Sequence, residues 1–235
     1  MKIRLAYGKE GLAVELPDHA TLIEPDYIPS LPDETGALKT ALRNPIGTMT
    51  LRQATIPGHK IGISVCDITR PIPSDRILPV LLGELAHIPP SDITIFLATG
   101  THRSNSNQEI ESMLGEFVVN HGCKIVNHDA FDSKALTRVG VTEGGIPVFL
   151  NKEWAGCDFR ITTGFVEPHF FAGFSGGPKM VAPGLAGFDT TMALHNAEMI
   201  SHPNARWGIT KGNPIHDSIR EIARMIPVNF SLDVT

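Results

Sequence analysis

The chain has 235 residues, 42% of them hydrophobic and 19% charged, and a formal net charge of −5 at pH 7. This composition is typical of a globular protein with a sizeable core and excludes an intrinsically disordered chain. The negative charge argues against a nucleic-acid partner, the apolar runs are too short to span a bilayer, and three cysteines without a CxxC pair indicate a reducing, cytoplasmic environment.

The first fifty residues predict a small β element. Residues 2–16 alternate apolar and polar side chains around a turn at residues 9–11, which predicts two short strands. Residues 17–50 are rich in Pro, Asp and Thr, with one short helix expected at residues 35–43. We therefore expect a small N-terminal β element over about residues 1–50.

From residue 60 the chain alternates between strands and helices. The predicted strands are residues 60–66, 92–98, 123–128 and 158–166, a strand pair within 136–150, and a last strand at 228–234. The predicted helices are residues 75–86, 107–117, 189–200 and 214–224. Continuous apolar strands that alternate with helices are typical of a parallel sheet covered on both faces. We therefore expect an α/β core over about residues 60–235, with a mostly parallel, Rossmann-like, doubly wound sheet.

Two loops that follow predicted strands carry polar side chains, and ligands bind beyond the carboxyl ends of such strands. The first loop holds Asp67, Thr69 and Arg70; aspartate accepts from ribose hydroxyls, and arginine pairs with phosphate or carboxylate. The second holds His102 just before a helix, near the positive end of its dipole. Each loop also has a purely structural interpretation, as an ion pair near a helix start and as an exposed histidine.

The loop PHFFAGFSGGPKMVAPGLAG, after the last buried core strand, carries His169 and Lys179. Gly173, Gly176 and Gly177 free backbone N–H groups to approach an anion, and the lysine adds a charge. The spacing of a Walker A motif is absent. Three phenylalanines within five residues argue against a flexible surface loop. The sequence therefore predicts a ligand-binding loop.

The helix predicted at residues 189–200 carries His195 among apolar neighbours, where a histidine is more often a core residue than a ligand. Three histidines, one lysine and an Asp/Arg pair are thus expected on loops that converge. Two histidines could act as opposed acid and base near pH 7, and the third could hold a metal ion. The lysine could bind phosphate or carry a covalent group.

Four motifs of this chain resemble, in content, order and separation, those of the lactate racemase family, the nickel-pincer nucleotide enzymes. They are DITRP (67–71), TGTHR (99–103), EPHFFAGFSGGPKMVAPGLAG (167–187) and ALHNAE (193–198). The loop around the lysine is the most specific of the four. The resemblance covers the chain from about residue 2 to its end.

The resemblance implies a role for each motif. Lys179 matches the lysine joined through a thioamide to a pyridinium-3,5-bisthiocarboxylic acid mononucleotide, which holds nickel in an S-C-S pincer. His195 matches the fourth nickel ligand, and His102 and His169 match the acid/base pair on the two faces of the substrate. Cofactor contacts match the DxTR element and the glycine loop, at Asp67, Ile68, Thr69, Arg70, Gly176 and Gly177.

The implied activity is that of an isomerase, a racemase or epimerase of a lactate-like 2-hydroxy acid. In that family one histidine takes the hydroxyl proton while hydride leaves the α-carbon for the nickel-pincer nucleotide, and the resulting keto acid is reduced on its other face. The cofactor is made by separate synthesis proteins. Family chains are longer and carry a C-terminal domain that closes over the site. We expect this chain to be the cofactor-binding half, without that domain, and of low activity alone.

Two interpretations from other functional classes stay open. In a zinc-dependent hydrolase, His102, His169 and His195 would bind the metal, although a carboxylate ligand or close HxH spacing is not evident. In a non-catalytic nucleotide-binding module, the glycine loop would serve as an anion site. A mass adduct on Lys179 distinguishes the racemase from both.

Overall fold

The computed structural model describes residues 1–8, 10–24, 26 and 28–235. It divides the chain into two compact units, Met1–Glu34 and Thr35–Thr235. The larger unit thus begins within the stretch that the sequence assigned to the N-terminal element. All of the candidate site residues lie in this larger unit.

The smaller unit contains a two-stranded antiparallel hairpin. Its strands are β1 (Lys2–Leu5) and β2 (Leu12–Glu15), with Lys2 opposite Glu15 and Leu5 opposite Leu12. The predicted β element is therefore confirmed. The turn predicted at residues 9–11 includes Lys9, which lies outside the described residues.

The rest of the chain alternates between strands and helices, as expected. The strands are β3 (Ile61–Cys66), β4 (Ile93–Ala98), β5 (Lys124–Asn127), β6 (Leu136–Val141), β7 (Pro147–Asn151), β8 (Phe159–Phe165), β9 (Pro168–His169), β10 (Gly173–Phe174) and β11 (Phe230–Val234). The helices are α1 (Glu34–Arg43), α2 (Leu51–Ala54), α3 (Ser74–Glu84), α4 (Asn107–Val119), α5 (Lys152–Ala155), α6 (Phe188–Leu194), α7 (Ala197–Ser201) and α8 (Pro214–Met225). Short 3-10 turns lie at Pro90–Asp92 and Gly177–Met180.

The central sheet has the strand order β11-β8-β3-β4-β5, and all of its strand pairs are parallel. The chain runs from β3 outward to β4 and β5, then returns to place β8 and β11 on the other side of β3. The strand order therefore reverses between β3 and β8, and such a switch point is where open α/β sheets bind ligands. The predicted α/β, mostly parallel, Rossmann-like sheet is confirmed.

Both faces of the sheet are buried at its centre, and β3 shows how its sequence achieves this. Its alternate residues Ile61, Ile63 and Val65 pack with the apolar sides of α3 and α4. Between them, Gly62 faces the other side, where Trp154 packs so closely that no side chain would fit. Burying each of these aliphatic side chains contributes about 1.5–3 kcal/mol. Over the described part of the chain, no helix combines the length and apolar character needed to cross a membrane.

The single helix predicted at residues 189–200 is wrong, because the helix is broken at its centre. α6 ends at Leu194, and His195 follows as its C-cap with a non-helical φ of −111°. The side chain of Asn196 then accepts from the N–H of Met199 and starts α7. Asparagine side chains hydrogen-bond to free backbone N–H groups in this way, and asparagine is therefore common at the N-cap position of helices. His195 therefore lies at a helix end, not on an apolar helix face.

Candidate active site

A cavity lies at the carboxyl ends of β3, β4 and β8, beside the switch point of the sheet. Its lining brings together residues from all three predicted loops and from the end of α6, namely Asp67, Thr69, Arg70, His102, His169, Gly176, Lys179 and His195. Ile68 and Gly177 are not part of this lining. The convergence expected from the sequence is thus present in the structure for most of the candidate residues.

One wall of the cavity is held by hydrogen bonds that the carboxylate of Asp67 accepts. Its buried carboxylate places Oδ2 2.7 Å from Nδ1 of His102. Because a carboxylate accepts, Nδ1 carries the proton and Nε2 keeps its lone pair. The other oxygen, Oδ1, accepts from the hydroxyl and the N–H of Thr69, at 2.6 and 3.3 Å. Aspartate and histidine thus form an oriented pair.

A pair of asparagines, which the sequence analysis did not single out, joins the two loops of this wall. The N–H and the Nδ2 of Asn105 donate to Oδ1 of Asn127, at 2.8 and 3.2 Å, and Nδ2 of Asn127 donates back to the Asn105 carbonyl at 3.1 Å. Oδ1 of Asn105 accepts from the N–H of Ile68 at 3.3 Å. Ile68 therefore contributes a backbone contact between the loops that carry Asp67 and His102.

A second part of the lining carries His169 and His195, whose rings both pack against the ring of Phe171 behind them. The ring of Phe171 lies between His169 and His195, with centroid distances of 4.7 and 5.2 Å and nearly perpendicular planes. Nδ1 of His169 accepts from the N–H of Ala172 at 3.3 Å, so the neutral ring carries its proton on Nε2. Burial, with the charge of Lys179 as a further cause, lowers the pKa of His169 to about 4. This histidine is therefore neutral at pH 7.

His195 is held by the last turn of α6. Its Nδ1 lies 2.7 Å from the carbonyl oxygen of Thr191, four residues earlier, and therefore donates to it. The lone pair of Nε2 is left free, which is the arrangement of a metal-ligating histidine held by a backbone carbonyl. Thr191 also lines the cavity, and its buried hydroxyl has no partner among the described residues. Its position one helical turn before the histidine is the signal that could have identified it.

Lys179 lies in the 3-10 turn Gly177–Met180 and lines the cavity. Its Nζ makes no hydrogen bond or ion pair with any residue that the structure describes. Burial, reinforced by the charge of Arg70 and opposed by Glu167 and Cys66, lowers the pKa of the amine to about 8. About a tenth of such an amine is unprotonated at pH 7, several hundred times more than for an ordinary lysine.

The purely structural interpretation of the first loop was an ion pair near a helix start. Arg70 does not form such a pair with Asp67. Its nearest carboxylate is that of Glu167, with Nε 3.9 Å from Oε1, and Nη1 donates to the Thr69 carbonyl at 3.3 Å. This loose pairing leaves the guanidinium available to a ligand. Arg70 and Lys179 together make the cavity suited to an anion.

The N–H of Gly177 has a partner within the chain itself, and the expected contact of Gly177 with a cofactor stays a prediction. That N–H donates to Oδ1 of Asp233, at 2.9 Å. Gly173 and Gly176 have φ values of +80° and +74°, and a Cβ at Gly176 would lie 2.8 Å from Cγ2 of Val166. Close backbone packing and left-handed conformations therefore account for these glycines.

The three histidines do not assemble into a zinc site of the kind that the hydrolase interpretation needs. His102 is paired with Asp67, and the ring of Phe171 separates His169 from His195. Across the described ranges, no group of three or more His, Cys, Asp or Glu side chains could hold a metal ion.

Known proteins resemble this chain over most of its length. The family described as the lactate racemase N-terminal domain matches residues 7–208. The lactate racemase of Thermoanaerobacterium thermosaccharolyticum is 37% identical over 238 residues, which cover 99% of this chain and 55% of that protein. The lactate racemase of Lactiplantibacillus plantarum is 39% identical over 202 residues, 86% of this chain and 47% of that protein. The chain spans about half the length of these curated relatives.

Two solved structures share the fold. The lactate racemase apoprotein from T. thermosaccharolyticum superposes with a TM-score of 0.84 at 37% identity, over 100% of this chain and 55% of that one. A protein from Thermotoga maritima superposes with a TM-score of 0.66 at 22% identity, over 85% and 49% of the two chains, and supports the fold alone. The match over residues 7–208, the two sequence relatives and the superposition agree, and the chain belongs to the lactate racemase N-terminal domain family.

Proposed function

We propose that the chain is the cofactor-binding half of a 2-hydroxy acid racemase or epimerase, in which Lys179 carries a nickel-pincer nucleotide. The observation that carries this proposal is the unpaired, half-buried amine of Lys179, whose lowered pKa suits a nucleophile. It shares one cavity with the free Nε2 of His195 and with two further histidines. The relatives named lactate racemase support a lactate-like substrate.

The residues present fit the proposed cofactor. The Lys179 amine would form the covalent link, His195 would bind nickel through Nε2, and Arg70 would pair with the phosphate or with a carboxylate. Once bound, the group would supply reversible hydride-accepting chemistry toward the α-carbon of the substrate. A covalent link keeps the cofactor in place while the small intermediate turns over.

His102 is prepared to accept a proton. Its Nε2 lone pair is free because Nδ1 donates to Asp67, and the carboxylate stabilises the imidazolium that forms when Nε2 takes the hydroxyl proton of the substrate. The asparagine pair described above fixes the separation of the two loops. His102 and Asp67 therefore act as one unit.

His169 supplies the second group that inversion requires. It enters the cavity from the loop after β8, whereas His102 enters from the loop after β4. Stereo-inversion needs a proton-handling group on each face of the substrate, and two loops from different strand ends can provide this. The burial that keeps His169 neutral also excludes water from the reacting centre.

The cofactor proposal is tested by intact mass spectrometry of the chain after co-expression with the cofactor-synthesis proteins. We expect a mass gain that maps to Lys179 and disappears in Lys179→Arg, which keeps the charge but not the nucleophile. Lys211→Arg, at an exposed position, is the matched control and should keep the adduct. The L. plantarum lactate racemase, processed in parallel, is the positive control. An adduct on that control and none on this chain would overturn the proposal.

The substrate proposal needs a second measurement on the loaded, whole-length protein. Conversion of one lactate enantiomer into the other is followed by chiral chromatography. We expect His102→Gln and His169→Gln each to lower kcat by about 10²- to 10⁴-fold. Conversion of another 2-hydroxy acid at a higher kcat/KM would reassign the substrate within the same reaction class.

A further inference from the structure

The carboxylate of Asp233 contacts the loop that carries Lys179 but takes no part in the cavity lining that the described residues form. Asp233 lies on β11, beside Gly164 of β8 in the parallel register. Its Oδ1 accepts from the N–H of Gly177, and the two residues are 56 positions apart in the chain. The backbone donor expected to bind a ligand anion is thus occupied by an anion of the chain itself.

The carboxylate of Asp233 fits against the sheet only because the neighbouring residue, Gly164, is a glycine without a side chain. A Cβ on Gly164 would collide with Oδ1 of Asp233 and would lie 2.7 Å from the Cα of Gly176. The bare strand position therefore gives room to the carboxylate and to the loop at the same time. Strand β8, the carboxylate of Asp233 and the loop at Gly176 therefore pack closely together around Gly164.

The second carboxylate oxygen is also fixed. Oδ2 of Asp233 accepts from the hydroxyl of Ser231 at 2.6 Å, and that hydroxyl accepts from the hydroxyl of Thr162 at 3.0 Å. Ser231 and Thr162 are neighbours in the register of β11 and β8. A chain of hydrogen bonds between two adjacent strands of the central sheet thus sets the orientation of the carboxylate.

Gly177 and Lys179 lie in the same 3-10 turn, so a shift of Gly177 also moves Lys179. The N–H of Lys179 donates to the Gly176 carbonyl, and its own carbonyl accepts from the N–H of Gly184, both at 3.1 Å. The charged and titratable groups around the amine are Arg70, Glu167, Cys66 and His169. A shift of the turn would change the distance of the amine from all of them.

We propose that Asp233 is the positioning residue of the lysine loop, an anion supplied by the chain itself that holds Lys179 at the depth in the cavity where its amine reacts. The significance of that depth rests on the proposed attachment of a cofactor to Lys179. The geometric claim itself does not need the cofactor. It is therefore tested on the unloaded chain.

The test measures the rate at which acetic anhydride acetylates Lys179 across a range of pH, by peptide mass spectrometry, with exposed Lys211 as internal reference. Half-maximal reactivity of the unchanged chain is expected near pH 8. In Asp233→Ala we expect the midpoint to move toward that of an ordinary lysine, with a relative rate at pH 7 lower by about tenfold or more. Asp233→Asn keeps an acceptor for Gly177 and should retain the midpoint. Asp217→Ala, at an exposed aspartate of α8, should change nothing.

Circular dichroism and thermal unfolding establish that each variant is folded. If Asp233→Ala does not fold, Ser231→Ala, which removes support from Oδ2 alone, should shift the midpoint in the same direction by a smaller amount. A midpoint that stays near pH 8 in the folded alanine variants overturns the proposal, as does an asparagine variant that shifts as far as Asp233→Ala. A shift without any cofactor adduct would contradict the proposed function and leave this inference intact, and an adduct without a shift would do the reverse.

Discussion

The two walls of the cavity hold their histidines by opposite means. On the polar wall, formed by Asp67 and His102, a carboxylate fixes a ring whose side chain is 53% exposed. On the aromatic wall, where His169 and His195 line the cavity and both pack against Phe171, edge-to-face packing and burial hold the rings, and His169 is neutral at pH 7. One cavity therefore contains two different histidines: the carboxylate of Asp67 stabilises a positive charge on His102, whereas burial disfavours a positive charge on His169.

This difference teaches that residue type alone does not set the proton-handling role of a histidine. In their neutral forms the two rings also differ in the nitrogen that carries the proton, Nδ1 in His102 and Nε2 in His169. Titratable groups whose environments differ in this way are suited to opposite roles in acid/base chemistry. Because the two walls rely on different forces, each can be disrupted without the other.

The largest effect is expected from breaking the polar wall with Asp67→Asn in the loaded, whole-length protein. The amide cannot stabilise the imidazolium and can present a donor to Nδ1 of His102, which favours the wrong tautomer. We expect kcat to fall by about 10²- to 10⁴-fold with a much smaller change in KM. Chiral chromatography of lactate measures it, with Asp217→Asn as control. Activity within threefold of the unchanged protein would contradict the role of the pair.

Next in size is the effect of Lys179→Met, which removes the amine from the lining of the same cavity. Below pH 8 the folded chain holds a half-buried ammonium without a partner among the described residues, so its removal should raise the free energy of unfolding at pH 7 by about 3 kcal/mol. The unfolded chain binds more protons between pH 8 and 10.5, so the stability of the unchanged chain should rise with pH in that window, and the variant should lack this rise. Urea unfolding at pH 7 and 10 measures both, and Lys211→Met should have little effect. A less stable Met variant would show that the amine has a partner in solution.

A smaller effect is expected from titrating His169. Its pKa of about 4 in the folded chain lies below the ordinary value of 6.5, so the unfolded chain binds more protons between these values. Stability should therefore fall as the pH drops through this window, by about 2 kcal/mol at most once the partial exposure of the ring is allowed for. The ring is followed by its Hε1 signal in NMR, assigned with His169→Gln. A midpoint near 6.5 would mean that the aromatic wall does not exclude water.

The smallest effect should come from Phe171→Leu, which removes the ring between the two histidines. Loss of the edge-to-face contacts should cost about 1 kcal/mol of stability and, by admitting water, raise the pKa of His169. The downfield NMR signal of the His102 Nδ1 proton should stay unchanged, because the polar wall is independent. Phe117→Leu, at a side chain that is 57% exposed and away from the cavity lining, is the matched control. A change in the His102 signal would show that the walls are coupled.

The sequence predicts much of this fold because its signals are local. The strands of the central sheet are short, continuous apolar runs, and the loops that follow them carry unusual polar residues. Strand order then places Asp67, His102 and Lys179 at one edge of the sheet, as expected. Periodicity and the rule for ligand sites in open sheets are sufficient for that step.

The parts that could not be predicted depend on contacts between distant residues. Asp233 accepts a hydrogen bond from the N–H of Gly177, 56 positions away in the chain, and no local sequence pattern predicts that contact. The break at His195 is hidden because the apolar spacing continues past it, although Asn196 as a helix cap was a usable signal. The pairing of Asp67 with His102 rather than with Arg70 requires the geometry of two loops.

The contact between Asp233 and Gly177 also has a consequence for how the protein is made. At about 5–20 residues per second, the ribosome adds the 56 residues between these positions in about 3–11 s. During that interval the strand that supplies the carboxylate has not been synthesised, so the lysine turn has nothing to close against. The nascent chain therefore passes through a period in which Asp233 does not yet hold the turn that carries Lys179, and the synthesis of β11 ends that period.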